Sequence, residues 1–307
     1  MEWTAIVRKT MSASISLPPD ASQNPGINPL PYRSSTGGNK GKLLTGFLRL
    51  LTTLLLSAGC QAADVPAFGF QDFLLVPVRV HLLSSAETPE LHTTLTGADV
   101  ERIFQKANRI WAPAGIQFFV ESLVAEPAVE TKKPPEPDTT KRAPAGLGVM
   151  LEHMPQATRC AEAFNVYYVK SFDVNGVYFG KPEAIFVKDT ASLRKVEGGI
   201  DEPLPRVTSH ELGHAFSLAH RQDTFNLMAS GTTGTSLNES EIRQARESAA
   251  KRPWIQSAKA WHEKATALDT GGKAAEALAA YKKLAALPLE AAPEVQAARS
   301  KIQAEAK

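Results

Sequence analysis

Residues 210–220 read His210-Glu211-Leu212-Gly213-His214-Ala215-Phe216-Ser217-Leu218-Ala219-His220, and Met228 follows eight residues later. No other stretch constrains the fold so tightly. On a helix, residues four apart share a face with Cβ atoms about 5–6 Å apart, so His210 and His214 can reach one metal ion. Imidazole nitrogens bind Zn²⁺ at about 2.0–2.1 Å. Glu211 points to a neighbouring face, close enough to bond a water on that metal without coordinating it. His220 does not fit a continuing helix, because a residue six positions on lies on the far side from the first. For His220 to join the other two, the helix has to end near Ser217 and the chain has to bend back.

With its downstream methionine, this pattern resembles the metzincin zinc peptidases, and Asn226-Leu227-Met228 resembles the approach to the Met turn in their matrixin-like members. The resemblance implies that His210, His214 and His220 hold one catalytic Zn²⁺, that Glu211 is the general base, and that Met228 forms a hydrophobic floor beneath the metal. It implies a peptide or protein substrate. The chain departs from the family pattern at Ser217, where the motif has glycine. A serine there must take a left-handed conformation at a cost of about 1–2 kcal/mol, or the exit must bend differently.

Other readings of the same residues exist. A lone His-Glu-x-x-His is short, and also occurs among helix-surface or satisfied core histidines. A structural zinc centre closes its fourth position with a further protein ligand, a role that leaves Glu211 without purpose. The rival to an enzyme is a non-enzymatic envelope protein, with a relic or structural zinc site and C-terminal helices that bind a partner. His81, His92, His153 and His262 have no metal spacing to one another, and read as structural or solvated. Asp173 and Asn175 lack the rest of a calcium loop.

The first sixty residues read as a leader rather than as part of the fold. Residues 12–41 are rich in Ser, Pro, Gly and Asn without hydrophobic periodicity, the composition of a disordered segment. Lys40 and Lys42 then precede an apolar run, broken by Arg49, that ends in Ser57-Ala58-Gly59-Cys60. Basic flank, short apolar core and small residues are the parts of a secretory signal. Leu50 to Gly59 is shorter than the roughly 20 residues of a spanning helix. The last four residues resemble a bacterial lipobox in which Cys60 is lipidated, with serine where leucine is usual; ordinary cleavage near Ala62 or Ala63 is the alternative. The expectation is export, to the envelope as a lipid-anchored protein or to the periplasm or medium. The second cysteine, Cys160, is unpaired if Cys60 is lipidated, and otherwise free to pair with it.

A formal net charge of +2 with 21% charged residues gives no reason to expect nucleic acid. From 64 to 251 the pattern reads as an α+β domain. Phe73 to His81 is a strand whose Pro77 marks an irregularity or an edge. Thr96 to Trp111 has helical spacing, with Thr96 or Gly97 at the N-cap. Ile116 to Val124 is a second strand, making a βαβ crossover. Five prolines between 126 and 145 indicate a surface insertion. Leu147 to Thr158 reads as a short helix and Phe164 to Phe172 as a strand. Asn175-Gly176 reads as a tight turn returning through Val177 to Phe179. Ala184 to Lys188 is a short strand, and Leu204 to Phe216 the helix bearing the histidines.

That order resembles the metzincin catalytic domain, a twisted mixed sheet plus an active-site helix. In that family a short strand beside the cleft holds the substrate by strand addition; by order it would be Gly176 to Gly180. Ser236 to Glu239 fits a capping box ahead of a helix from Glu239 to Lys251. Residues 253–307 then form a small all-α segment, with one apolar face through Ala258, Trp261, Ala265 and Leu268 and another through Ala274, Leu278, Tyr281, Leu284 and Leu287. This helical pair resembles one tetratricopeptide unit, and a plain helical appendage is an equal alternative. One such unit cannot bury its apolar face alone. It must pack on the catalytic domain, on its own third helix, or on a protein partner.

Overall fold

The computed structural model describes residues 70, 72–131 and 147–305. The lipobox with Cys60, the rest of the leader, and Lys132, Lys133, Lys141 and Arg142 lie outside the described residues. A mixed sheet is built from β1 (Leu74–Ser84), β2 (Ile116–Pro127), β3 (Phe164–Val169), β4 (Gly176–Phe179) and β5 (Ala184–Lys188), in the order β2-β1-β3-β5-β4. A two-residue strand, β6 (Gln256–Ser257), pairs antiparallel with the start of β1. β1 pairs parallel with both β2 and β3, and β3 with β5; only β4, at the edge, runs antiparallel to its neighbour β5.

The βαβ crossover is present. Its helix, α1 (Gly97–Trp111), begins at Thr96, whose hydroxyl accepts from Asp99 N–H while the Asp99 carboxylate accepts from Thr96 N–H. Val100, Ile103, Phe104, Ala107, Ile110 and Trp111 form its buried face, the stripe that the 3.6-residue period selects.

Three readings need correction, and the alternative left open at Pro77 is decided. β1 is central, not an edge. Pro77 is tolerated because β3 pairs only from Val78 onward, and the irregularity is a register shift between Val78 and Arg79 against β2. The strand predicted to reach Phe172 stops at Val169, where the Ser171 N–H turns away to the Glu90 carbonyl at 2.9 Å. Asn175-Gly176 is not a two-residue hairpin turn, since β5 inserts between β3 and β4. The capping box lies two residues later than predicted. Asn238 caps α3 (Glu239–Ala250) by accepting from Glu241 N–H, and the Glu241 side chain accepts from Asn238 N–H.

Alternation along the strands sends side chains to two faces. Val76, Val78, Val80, Val166, Ile185 and Val187 join α1, α2 (Pro203–Ala215) and α3 in the main core. The opposite face is covered in two patches. Leu83, Tyr167, Val169 and Phe186 pack with Met150, which lies in a short 3₁₀ turn at Leu147–Leu151, and with Met154 just after it. Leu75 packs with α4 (Ala258–Thr270), α5 (Ala274–Ala285) and α6 (Pro293–Glu305). The apolar faces of α4 and α5 are buried by both α6 and the sheet, with Trp261 set edge-on to Phe119 at 5.3 Å.

Candidate metal centre

Helix α2 starts on Pro203, whose fixed φ suits a first helical position. From Leu204 to Gly213 it is buried on every side. The helix ends at Ala215 through a complete Schellman arrangement. Ser217 N–H donates to the His214 carbonyl and Leu218 N–H to the Gly213 carbonyl, each at 2.9 Å. Ser217 occupies the left-handed position with φ 67°, so the serine makes the turn that glycine makes in the family motif. Two contacts offset its steric cost. The Ser217 hydroxyl lies 3.2 Å from that of Ser248, and its carbonyl accepts from Gln244 Nε2 at 2.6 Å.

This exit brings His220 back to the other two histidines. The Nε2 atoms of His210 and His214 are 3.1 Å apart, as are those of His214 and His220. The three ligand atoms lie within 4.8 Å of one another, the one such cluster of potential metal ligands among the described residues. Bonds of about 2.0–2.1 Å in tetrahedral geometry place ligand nitrogens about 3.3 Å apart, close to what is seen.

The tautomers support the same conclusion. His210 Nδ1–H donates to the Leu227 carbonyl at 2.8 Å, and His214 Nδ1–H to the Leu218 carbonyl at 2.9 Å. Each ring therefore carries a lone pair on Nε2, and lone pairs held this close repel unless a cation sits among them. Carbonyl partners of this kind are how ligating imidazoles are oriented. Burial also holds the rings neutral, pushing His210 down to about 3 and His214 below its usual value. The donor set fits zinc.

Met228 is fully buried directly against α2. A Cβ on Gly213 would stand 2.5 Å from its sulfur, so the glycine lets the methionine seat under the helix. Met228 also anchors the chain on both sides of the cluster. Its N–H donates to Asn226 Oδ1 at 2.7 Å, and its carbonyl accepts from Arg221 N–H, next to His220, at 3.0 Å.

Two residues that the sequence reading passed over hold this segment. Glu241, fully buried, accepts from Arg221 Nε at 2.7 Å and Asn226 Nδ2 at 2.8 Å, and thereby links the third histidine to the methionine turn. Arg206, one turn before His210 and equally buried, donates to the carbonyls of Ala229 and Gly234. A capping-type pair at Asn238 and Glu241 was a visible signal for the first; nothing local marks the second.

Glu211 is buried, and that burial raises its carboxyl to about 8, against a smaller opposing pull from Arg206. The remaining histidines stay apart from the cluster. His81 Nδ1 lies 2.6 Å from Glu126 and its ring stacks on Tyr167; His153 Nδ1–H donates to the Val129 carbonyl; His262 stands edge-on to Tyr281. Asn175, set aside as a calcium ligand, instead brackets Ser192 with its amide.

No known family model matches the chain, and no curated protein does. Among solved structures, it is similar to the archaemetzincin of Methanopyrus kandleri, with 13% identity and a TM-score of 0.36 over 56% of this chain and 94% of that one.

Proposed function

We propose that the chain is a zinc-dependent peptidase of metzincin type, acting on peptide or protein substrates. The observation that carries this reading is the convergence of three Nε2 atoms, two of them from rings whose Nδ1–H groups are tied to backbone carbonyls. His210, His214 and His220 would hold the ion. Bound there, zinc supplies Lewis acidity that makes a water nucleophilic near neutral pH and polarises a carbonyl. Glu211 takes the proton from the attacking water and returns it to the leaving amine. A structural centre would close the fourth position with a protein ligand, and among the described residues only three ligands converge. Met228 supplies an apolar floor, and the antiparallel edge strand β4 offers backbone groups to an extended substrate.

Export belongs to the same proposal, through the leader that ends in Cys60. Loss of Cys60→Ser protein from the membrane fraction would support lipid anchoring, and retention in the pellet would remove it. The activity itself is tested with an unfolded protein such as casein. Cleavage should stop with a chelator, return with Zn²⁺, and be absent in Glu211→Gln. A protein that binds zinc and cleaves nothing would favour the non-enzymatic reading.

A further inference from the structure

Among the described residues, no hydrogen-bond donor reaches the Glu211 carboxylate, and Arg206 acts on it through charge alone while donating to the Gly234 and Ala229 carbonyls. Its side chain must therefore be oriented by packing. The surface against it is the backbone of β4. A Cβ built on Gly176 would lie 2.7 Å from both Cγ and Oε1 of Glu211, and 2.8 Å from Cγ1 of Val207. Real side chains do not approach so closely. The glycine is not there for conformational freedom, since Gly176 is absent from the positive-φ residues. A glycine inside a strand then marks close approach of another group. We propose that Gly176 is the positioning residue for Glu211: its missing side chain lets α2 and β4 close on each other and fixes where the carboxylate points.

Only the catalytic consequence rests on the peptidase reading; the packing relation stands independently of it. In the active protein, Gly176→Ala pushes the carboxylate aside while leaving the three histidines in place. Misplacing a catalytic group by about 1 Å can cost 10²-fold. The variant should therefore keep one zinc per chain, while kcat falls about 10-fold or more.

The packing relation is read from thermal unfolding of zinc-free protein in a double-mutant cycle. Gly176→Ala should lower Tm by about 3 °C or more with Glu211 present, and by less in a Glu211→Ala background, where only the overlap with Val207 remains. Strong coupling of this kind is the mark of direct contact. Should Gly176→Ala fail to fold alone yet fold together with Glu211→Ala, the contact is equally established. An equal loss in both backgrounds would assign the contact to Val207 or to the strand and overturn the proposal, as would a Gly176→Ala enzyme with wild-type kcat. If the wild-type protein cleaves nothing, the peptidase reading fails, while the unfolding cycle still decides the role of Gly176.

Discussion

Replacing Glu211 by glutamine should make the zinc-free protein more stable and the zinc-loaded protein inactive. The carboxyl titrates near 4.5 in the unfolded chain and is raised to about 8 in the fold by burial. Between those values the folded protein holds a proton that the unfolded protein has released. The native state is therefore penalised increasingly as pH rises from 4.5 to 8. At about 1.36 kcal/mol per pH unit, the penalty at pH 7 is about 3 kcal/mol, and it is nearly absent below pH 4.5. Glutamine replaces the neutral acid at nearly the same volume and has no such penalty. Zinc would pull the carboxyl back down, so the measurement requires chelated protein. Urea unfolding of both proteins at pH 5 and pH 8 should show a gain in Glu211→Gln of about 4–5 kcal/mol at pH 8, shrinking to below about 1 at pH 5. Peptide hydrolysis should fall about 10²-fold or more, the usual worth of general-base catalysis. A gain that does not change with pH, or no gain at pH 8, would refute the assignment of a buried, neutralised Glu211.

Ser217→Gly should change stability by less than about 1 kcal/mol, because relief of the left-handed serine roughly cancels loss of its hydroxyl contact with Ser248. Ser217→Val should cost more than Ser217→Gly, and calorimetry separates the two. Glu241→Ala should destabilise by about 1–3 kcal/mol, since the buried Asn226 amide loses its acceptor while Arg221 is exposed enough to find water. It should also weaken zinc binding by loosening His220, measured by competition with a chromophoric chelator. Acidification should release zinc. His210 and His214 are held neutral with depressed pKa values, so their contribution is present above about pH 6.5 and lost as pH falls below it, when the unfolded chain takes up protons first. Zinc retention measured from pH 8 to pH 5 should hold down to about pH 6.5 and decline below it.

The histidine cluster was legible in the sequence because it follows local periodicity: two histidines one turn apart, and a third that requires the helix to stop. Even the departure at Ser217 marked the correct residue, and its φ of 67° shows a serine in a conformation that glycine more easily adopts. Helix α1 was legible through the pairing of its cap with its apolar stripe. Strand partnership beyond that crossover was not. Nothing in Gly176 to Phe179 announces that β5 will insert between it and β3, so the Asn-Gly pair suits a hairpin that the fold does not form. The same residue then proved to be a close-packing site against Glu211, a relation between segments 35 positions apart. Pro77 indicated irregularity correctly but not centrality, because edge or centre depends on where β3 begins. Arg206 and Glu241 were passed over for a similar reason. Their partners at Ala229, Gly234, Arg221 and Asn226 are brought near only by the turn after His220.

The central claim is that three imidazoles from one short segment hold a single catalytic zinc ion, and zinc content measures it directly. Purified wild-type protein, stripped and reloaded, should carry one zinc per chain by elemental analysis. His220→Ala should lose affinity by several orders of magnitude, because two imidazoles and solvent replace a preformed three-ligand site. Full occupancy in His220→Ala protein, or a wild-type protein that takes up no stoichiometric zinc, would contradict the account.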